Sequence, residues 1–481
     1  MEKYRYITTT LPYVNAPLHI GHSLEFIFAD ALARFWRQKG YKVIFNTGAD
    51  EHGLKIYRKA LSENKNPKDY VDEYAKRLKK LIQNLNLSNT HFIRTTDENH
   101  IKAAQKFWEI SQKNGDIYKG IYKANYCVGC ELEKTDSELV NGKCPLHPNL
   151  EIEKIEEENY FFRFSAYQEK LLKFYEENPE FVVPESRFNE IKNFVKNGLE
   201  DFSISRLKSK MPWGIEIPND PDQVMYVWFD ALINYISTLG WPNNLEEFNN
   251  FWPGIQIAGK DNLRQQSAIW QAMLMSAKLP PSKQIIIHGF LTINGQKISK
   301  TVGNVIYPEE IISKYGKDAL RFWILSETQP FEDSDFSLEK FNEAYNAKLA
   351  NGLGNFYSRV ISLAQKIKEF EANNLISKEI ENQINETRKT IDEKMEKYLF
   401  NEAMQSIWKL ISFGDYYINK TEPWKNYDKE IIFNLIVILD NLGSMLLPFI
   451  PETAEKITKS IINENNKIIP KKLGILFPKI D

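Results

Sequence analysis

A strand-like segment followed directly by an amphipathic helix opens the chain and constrains its fold most. The stretch YRYITTTL is rich in β-branched and aromatic residues and predicts a buried strand that stops at Pro12. Apolar residues then follow the 3.6-residue period of a helix closed by Gly40, at Leu24, Ile27, Phe28, Ala31, Leu32, Phe35 and Trp36. Such a strand–helix pair is typical of a parallel α/β sheet.

The same alternation breaks off and later resumes. A second strand is predicted in GYKVIFNTGADEHG, and the pattern returns in MYVWFDALINYIS, where YVWF is interpreted as a strand, and in IQIAGKDNLRQQSAIWQAMLMSA. Helical periodicity dominates from Leu338 to Ile462. We therefore predict a doubly wound, Rossmann-like parallel sheet in two halves, residues 1–115 and 225–335, split by an inserted domain, 116–224, and followed by an all-α bundle, 336–481.

Composition and charge exclude few functions. The chain has 481 residues, which suggests two to four domains, and its net charge of −2 gives no global sign of nucleic-acid binding. The N-terminus lacks the apolar core of a signal peptide, and the apolar run NLIVILDNLGSMLLPFIP is broken by Asp440, Asn441 and Pro448. We expect no membrane insertion and a cytoplasmic protein.

All three cysteines lie in one short stretch, NYCVGCELEKTDSELVNGKCPLHPNL. Cys127 and Cys130 form a C-x2-C pair, and Cys144 and His147 form a C-x2-H pair. An odd cysteine count without an export signal argues against disulfides, whereas a Cys3His set suits tetrahedral Zn²⁺ and leaves no open position for catalysis. We predict a structural zinc knuckle, with three buried thiols and a surface histidine as the alternative.

His19 and His22 lie where the first strand gives way to its helix. The crevice of a parallel sheet lies there, and we expect the helix start to offer unpaired N–H groups and a positive dipole end to an anion. The spacing puts both imidazoles on one side of the first turn, and Gly21 between them would let a ligand approach the backbone. A metal pair and two merely structural histidines are the alternatives.

A second chemical feature is the lysine-rich segment LTINGQKISKTVGN. Asn294 and Gly295 predict a type I′ hairpin turn that projects Lys297, Ser299 and Lys300 from an exposed loop. Loop lysines are usually only solvated surface. Together with histidines at a helix start, however, they could stabilise the charge on pyrophosphate as it leaves a nucleotide triphosphate.

These motifs resemble those of a known family. HIGH at His19 to His22 and KISKT at Lys297 to Thr301 are similar to the HIGH and KMSKS signatures of class I aminoacyl-tRNA synthetases. TLPYVN, TGADEHG, DFSISR with WGIEIP, YVWFDA, GKDNLR and LANGLGN resemble methionyl-tRNA synthetases of the single-knuckle bacterial or organellar type, in the expected order over nearly the whole chain.

The resemblance implies a role for particular residues. It implies that His19, Gly21, His22, Lys297 and Lys300 bind ATP, the histidines and lysines being catalytic. It implies a methionine pocket in which Asp50 receives the ammonium group, lined by Leu11, Tyr13, Trp228, Ala231, Tyr235 and Gln266. It implies anticodon readers at Asn355, Arg359 and Trp424. For the aromatic residues Trp228, Tyr235 and Trp424, packing in a core is the alternative.

The implied reaction has two steps. The methionine carboxylate attacks the α-phosphorus of Mg²⁺-bound ATP, and the 3′-terminal ribose hydroxyl of tRNA(Met), initiator tRNA included, then takes the methionyl group. Because the substrate supplies its own nucleophile, no Ser-His-Asp or Cys-His arrangement is needed, and the sequence shows none.

Three departures from the family pattern accompany the resemblance. The knuckle is single and has a histidine ligand, and Gln265 and Gln266 stand where relatives often have Phe-His. We expect only one of these two side chains to face the pocket, Gln266, hydrogen-bonded to the Tyr13 or Tyr235 hydroxyl or to the methionine sulfur. No appended tRNA-binding module follows, so we expect a monomer.

Three other functions remain as alternatives. A synthetase for isoleucine, valine or leucine shares both signatures but normally carries a much longer editing insertion. A small nucleotidylyltransferase shares the HIGH chemistry without needing a zinc insert or a helical tail. A zinc-containing RNA-binding relative without catalysis is disfavoured by the intact histidines and lysines.

Overall fold

The computed structural model describes residues 3–130, 132–134, 138–299, 303–372 and 374–480. Lys300 and Thr301, predicted in the lysine-rich loop, lie outside the described residues. The chain forms two compact units. The first unit consists of residues 1–18, 41–82 and 89–288, and the second of residues 19–40, 83–88 and 289–481.

A parallel sheet is the centre of the first unit. Its six strands lie in the order His91–Arg94, Lys42–Ala49, Tyr4–Thr9, Ile255–Gly259, Gln284–His288 and Val182–Val183. Two strands extend the sheet on one side of Tyr4–Thr9 and three extend it on the other, so the predicted doubly wound topology is confirmed. The strand order reverses between Tyr4–Thr9 and Ile255–Gly259, and ligands of such sheets bind beyond the carboxyl ends at that reversal.

The edge strand Val182–Val183 comes from the segment predicted as an insert. It pairs in parallel with the neighbouring strand through Val182 opposite Ile285 and Val183 opposite Ile286. Phe181 and Val182 are each 2% exposed, so burial of this short apolar run accounts for its place in the sheet.

Other strands of that segment form two small antiparallel sheets, as its broken pattern predicts. One sheet has the order Leu132–Lys134, Ile117–Cys127, Glu153–Phe162 and Phe202–Ser203. The other has the order Glu216–Ile217, Asp220–Met225 and Ser205–Leu207.

The stretch YVWF, interpreted above as a strand, is helical, and that prediction was wrong. The strand ends at Met225, and Val227–Leu232 forms a helix that carries Trp228. A short apolar run has the same composition in a buried strand and in a buried helix, and periodicity cannot separate the two. The other helices and helical turns of the first unit are Leu54–Ser62, Pro67–Asn84, Glu98–Lys113, Phe164–Tyr167, Gln168–Glu177, Glu185–Lys196, Asn234–Ser237, Leu245–Phe251, Lys260–Asn262, Gln265–Ile269 and Trp270–Ser276.

The second unit is mainly helical. Its helices are Ile20–Gln38, Pro308–Tyr315, Lys317–Glu327, Leu338–Ala344, Tyr345–Gly354, Asn355–Ile367, Lys378–Glu396, Phe400–Thr421, Lys429–Leu446 and Pro451–Lys459. Strands Leu291–Ile293, Gln296–Lys297 and Ser334–Phe336 form one small sheet. The predicted all-α region also contains strands, Phe370–Glu371, Ile461–Glu464 and Lys467–Pro470, so the helical prediction through Ile462 ends too late.

The first helix of the second unit, Ile20–Gln38, buries the predicted apolar face, from Leu24 to Trp36. At its centre the buried Asp30 carboxylate accepts from the fully buried guanidinium of Arg321 at 2.7 Å. Arg321 also donates to the carbonyl of Phe449 at 2.8 Å. A buried charge pair with satisfied donors thus ties the helix to the end of the helical bundle. Among the described residues, no helix is long and apolar enough to cross a membrane.

Candidate active site

A cleft opens at the reversal of strand order in the first unit. Every residue predicted for the amino-acid pocket lines it. The lining consists of Thr10, Leu11, Tyr13, Asp50, Trp228, Ala231, Leu232, Asn234, Tyr235, Asn262, Gln265 and Gln266. The alternative for Trp228 and Tyr235 was that they only pack in a core. Both border this cleft, so packing alone does not describe their position. Their part in binding a substrate stays a prediction.

Backbone hydrogen bonds join the two loops that carry Tyr13 and Asp50. The Val14 N–H donates to the Asp50 carbonyl at 3.2 Å, and the Asp50 N–H donates to the Pro12 carbonyl at 3.1 Å. Asp50 itself is only 4% exposed. The cleft thus has a buried carboxylate beside aromatic and aliphatic side chains, an arrangement suited to an ammonium group attached to an apolar side chain.

The predicted hydrogen bond of Gln266 is confirmed. Its Nε2 donates to the Tyr235 hydroxyl at 2.7 Å, and its Oε1 accepts from Gln256 Nε2 at 2.9 Å. Both Gln265 and Gln266 border the cleft. They lie in a π-helical turn, Gln265–Ile269, rather than in the α-helix that the expectation assumed, and the expectation that only Gln266 points its side chain into the pocket stays a prediction.

A buried carboxylate between two histidines supports the cleft, and sequence reasoning missed it. Asp230 Oδ2 lies 2.9 Å from His52 Nδ1, and its Oδ1 lies 3.4 Å from His100 Nε2. His100 Nδ1 is paired with the Ser237 hydroxyl at 2.9 Å. Burial acts to raise the pKa of the Asp230 carboxyl, but the two histidines outweigh it and hold the pKa below its usual value.

This arrangement links opposite walls of the cleft. His52 follows Asp50 by two positions, and Asp230 lies between Trp228 and Ala231 on their short helix. The charged residue inside the apolar run YVWFDA was the available signal for a buried pair. Nothing in the local sequence indicates that His100, on the helix Glu98–Lys113, completes it.

The two histidines of the second unit lie at the start of the helix Ile20–Gln38, as predicted, and they cap it, which was not predicted. His19 Nδ1 accepts from the Gly21 N–H at 3.2 Å, and His22 Nδ1 accepts from the His19 N–H at 3.2 Å. Their ring centroids are 4.1 Å apart. When Nδ1 of a neutral imidazole accepts, the proton lies on Nε2, so the His19 ring carries an Nε2–H donor. His22 Nδ1 also lies 3.3 Å from the His19 carbonyl, which only accepts, so its two contacts do not assign a single tautomer.

The expectation of unpaired N–H groups at this helix start was wrong. The Ile20 N–H donates to the Ile306 carbonyl at 2.9 Å, and the His22 N–H donates to the His19 carbonyl at 3.0 Å. Since the Gly21 N–H donates to His19 Nδ1, the N–H groups of Ile20, Gly21 and His22 all have hydrogen-bond partners within the protein. An anion at this position would be bound by the imidazoles and the helix dipole.

The helix start also contacts the lysine-rich loop within the second unit. Besides the Ile20–Ile306 bond, a Cβ on Gly21 would lie 3.0 Å from the His19 ring and 3.5 Å from Ile298 Cδ1. Gly21 is therefore needed to let the His19 ring fold back onto the backbone. Asn304 holds the loop by accepting from the Ser299 N–H at 2.9 Å.

The hairpin at the lysines has the predicted turn. Asn294 and Gly295 have φ angles of 52° and 71°, as a type I′ turn requires, between antiparallel strands. Lys297 is exposed, with its Nζ 5.6 Å from the centre of the Phe290 ring. The loop thus carries a cation open to solvent on a defined backbone.

The predicted metal ligands meet in the first unit. The Sγ atoms of Cys127, Cys130 and Cys144 and a ring nitrogen of His147 all lie within 4.8 Å of one another. Cys130 Sγ is 3.5 Å from Cys144 Sγ and 3.2 Å from His147 Nδ1. Tetrahedral Zn²⁺, with bonds of about 2.0–2.3 Å, places its ligand atoms about 3.5–3.8 Å apart. The donor set and its spacing fit such an ion.

The predicted anticodon residues lie in the second unit on its helical bundle. Asn355 is exposed at the start of the helix Asn355–Ile367. One turn on, Arg359 donates to Asp415 Oδ1 at 3.0 Å and to Asn419 Oδ1 at 2.7 Å, both on Phe400–Thr421. Trp424 follows that helix and is 43% exposed, which excludes the core alternative for it.

Comparison with known proteins identifies the class. Residues 5–151 and 147–361 match the family described as tRNA synthetases class I (M), and residues 377–475 match the anticodon-binding domain of tRNA ligases. The parallel sheet, the capping histidines and the helical bundle therefore belong to a class I aminoacyl-tRNA synthetase.

Individual relatives identify the family. The methionine–tRNA ligase of Caldanaerobacter subterraneus is 41% identical over 100% of this chain and 80% of its own length. That of Thermotoga maritima is 40% identical over 95% of this chain and 75% of its own length. The structure of Mycobacterium tuberculosis methionyl-tRNA synthetase in complex with methionyl-adenylate superposes with a TM-score of 0.93 at 32% identity, covering 99% of this chain and 100% of that one. The chain belongs to the methionyl-tRNA synthetases, enzymes that ligate methionine to tRNA.

Proposed function

We propose that the cleft of the first unit binds L-methionine for activation by ATP, and that the methionyl group then passes to the 3′-terminal adenosine of tRNA(Met), including the initiator tRNA. The observation that carries this proposal is the cleft itself. It combines the buried Asp50 carboxylate with Trp228, Tyr235 and aliphatic side chains. This combination matches an amino acid with an apolar, polarizable side chain.

The proposed methionine contacts divide by chemistry. The Asp50 carboxylate pairs with the substrate ammonium group. Leu11, Tyr13, Trp228 and Ala231 surround the thioether. Tyr235 and Gln266 supply polar atoms at the far end of the pocket, where their mutual hydrogen bond leaves them ordered before substrate arrives.

The proposed ATP contacts come from the histidines and lysines. In adenylate formation, a methionine carboxylate oxygen forms a bond to the α-phosphorus, and the bond from that phosphorus to the pyrophosphate oxygen breaks. The imidazoles of His19 and His22, with the ammonium groups of Lys297 and Lys300, stabilise the charge that grows on the leaving pyrophosphate. Gly21 keeps the His19 ring in place. Mg²⁺ bound to the triphosphate would neutralise part of its charge.

The second step is a transfer from the adenylate. The terminal ribose hydroxyl of tRNA attacks the methionyl carbonyl carbon, AMP leaves, and the hydroxyl proton is lost. No protein nucleophile takes part in either step, since carboxylate and hydroxyl belong to the substrates. We propose that Asn355 and Arg359 contact anticodon base edges and that Trp424 stacks on a base.

Zn²⁺ is the ion that we propose for the Cys3His site, where it would hold the strand end at Cys127 and the turn at Cys144 together.

For the division of the chain into domains, we propose that residues 1–115 and 225–335 form the catalytic domain, 116–224 the connective insert, and 336–481 the anticodon-binding domain. A monomeric state and a cytoplasmic location stay predictions.

The test is amino-acid-dependent exchange of pyrophosphate into ATP, run with methionine, isoleucine, leucine and valine. We expect methionine to stimulate exchange and the branched amino acids to give the background rate. Asp50→Asn should lose methionine stimulation, while the exposed Asp222→Asn should retain it. Stimulation by isoleucine or leucine instead would contradict the proposed substrate, and no stimulation at all would favour the RNA-binding alternative.

A further inference from the structure

The residue after Asp50, Glu51, is hydrogen-bonded through every polar group that it has. It is 0% exposed. Its N–H donates to the Thr95 hydroxyl at 2.9 Å, and its carboxylate accepts from Arg94 Nε at 2.7 Å and from the Thr96 hydroxyl at 2.5 Å. Arg94 ends the strand beside the one that leads to Asp50. The carboxyl ends of two neighbouring strands are thus joined at Glu51.

The remaining polar group of Glu51, its carbonyl, is bonded to Trp213 in the segment predicted as an insert. The Trp213 Nε1–H donates to this carbonyl at 2.6 Å. Two residues further along the loop, the Gly53 N–H donates to the Trp213 carbonyl at 3.2 Å. His52 lies between these two bonds, and its ring centroid is 5.7 Å from that of Trp213. A single residue of the insert thus brackets residues 51–53 with one donor and one acceptor.

This bracket spans the part of the loop that glycine makes permissive. Gly53 has a φ angle of 111°, a conformation that glycine adopts readily and other residues rarely adopt. Because glycine has many alternative conformations, the segment between Asp50 and the helix Leu54–Ser62 relaxes when its hydrogen bonds are removed. The Asp50 backbone is attached directly to this segment. The direction of its carboxylate therefore depends on the bonds made by residues 51–53.

We propose that Trp213 is a positioning residue that fixes the Asp50 carboxylate in the direction that pairs with the substrate ammonium group. The inference rests on the proposed methionine pocket. Among the described residues, Trp213 is not one of those that line the cleft, so it acts through the loop and not by contact with the amino acid. A carboxylate that is ordered before the substrate arrives loses less freedom on binding, which raises the affinity for an ammonium group. The insert thereby contributes to amino-acid recognition from outside the pocket.

The test uses two inhibitors that differ only in the ammonium group, L-methioninol and 4-(methylthio)butan-1-ol. Their inhibition constants are measured in methionine-dependent pyrophosphate exchange, and the ratio of the two constants reports on recognition of the ammonium group. Trp213→Phe keeps an aromatic ring and removes the indole N–H. We expect L-methioninol to bind about fivefold more weakly, the equivalent of one hydrogen bond, and 4-(methylthio)butan-1-ol to bind as it does to the parent. The KM for methionine should rise while kcat stays near the parent value.

A second variant and a matched control separate positioning from stability. Thr96→Val removes the hydroxyl that donates to the Glu51 carboxylate and should change the ratio in the same direction. Trp252→Phe is the control, since it loses an equivalent bond in the same unit, from Nε1 to the Pro280 carbonyl at 2.8 Å. It should keep the parental ratio even where its melting temperature falls. A melting curve of each variant shows whether the protein that is assayed is folded.

A parental ratio in folded Trp213→Phe and Thr96→Val would overturn the positioning role and leave the proposed function intact. An equal loss of affinity for both inhibitors would do the same, because it would show that Trp213 only supports the shape of the pocket. A changed ratio in Trp252→Phe would also overturn it, since the loss of any indole hydrogen bond would then have this effect. An absence of methionine-dependent exchange in the parent protein would overturn the proposed function and this inference with it.

Discussion

The proposed amino-acid pocket of the first unit and the histidine–lysine region of the second differ in how their polar groups are held. In the pocket, Asp50 and Gln266 are 4% and 2% exposed, and Gln266 is fixed at both ends of its amide. In the second unit, His19 and His22 are half-buried caps, and Lys297 is exposed on a hairpin.

Under the proposed function, this difference corresponds to two stages of one reaction. A pocket of buried, pre-oriented groups suits recognition of a substrate in its ground state. Accessible imidazole and ammonium groups on a defined backbone suit a charge that grows only in the transition state. Variants of the pocket should therefore change binding, and variants of the histidines should change the rate.

The largest effect is expected at His22. His22→Asn keeps an acceptor near the Nδ1 position for the His19 N–H but lacks the ring nitrogen Nε2, which we propose as a donor to the leaving pyrophosphate. We expect the single-turnover rate of methionyl-adenylate formation to fall by about 100- to 1,000-fold, the usual cost of one such donor. His22→Gln keeps a donor near the Nε2 position and should lose less. Equal rates in the two variants would mean that His22 serves only as a cap.

The metal knuckle extends the comparison to a third region, since its geometry depends on a glycine. A Cβ on Gly129 would lie 2.5 Å from the His147 ring. Gly129→Ala should therefore weaken zinc binding by about 10- to 100-fold in competition with a chelator. Cys144→Ser should lose the ion, and the parent protein should contain one zinc per chain by metal analysis.

A matched control lies on the strand Ile117–Cys127, which ends two residues before Gly129. A Cβ on Gly120 would meet Phe161 at an ordinary 3.4 Å, so Gly120→Ala should bind zinc like the parent. Freshly purified parent protein without zinc, prepared in the absence of chelators, would contradict the structural zinc site.

The helical bundle should affect only the tRNA step. Trp424→Ala should lower kcat/KM for tRNA charging. The loss should correspond to about 1 to 3 kcal/mol of transition-state stabilisation, the value of one stacked base. Pyrophosphate exchange should stay at the parent rate, and Leu375→Ala, at a position that is 92% exposed, should change neither assay. A parallel loss of exchange and charging would show that Trp424 supports the fold.

The smallest effect on activity is expected behind the pocket, at Asp230. Asp230→Asn keeps one acceptor oxygen and replaces the other with an NH₂ donor, so both histidines lose a charged acceptor. We expect a several-fold higher KM for methionine and a loss of about 1.5–3 kcal/mol in the free energy of unfolding. Asp222→Asn, on the surface, serves as the control for both measurements. A parental KM would show that the two walls of the cleft are held by other contacts.

Features set by neighbouring residues could be predicted from the sequence. The Asn294-Gly295 turn, the cysteine and histidine spacing and the apolar face of Ile20–Gln38 each depend on a few adjacent positions, and all agree with the structure. The hydrogen bond of Gln266 was predicted because a buried amide needs partners near in space, and Tyr235 faces the same pocket.

Features set by distant residues could not be predicted. The edge strand at Val182 exists because Gln284–His288 offers it a partner, and the strand pattern of YVWF is equally compatible with the observed helix. His100 joins Asp230 only through the packing of the Glu98–Lys113 helix. The helix-start donors are satisfied partly by Ile306, a residue far along the chain.

The most direct test of the two-stage account is the affinity for methionine in the absence of ATP, measured by calorimetry on Asp50→Asn and His22→Asn. The account predicts that Asp50→Asn weakens methionine binding by about 10-fold or more, since a charge-assisted hydrogen bond is lost. It predicts that His22→Asn binds methionine within about twofold of the parent, since its partner forms only in the transition state. Parental affinity in Asp50→Asn, or an equal loss in His22→Asn, would contradict it.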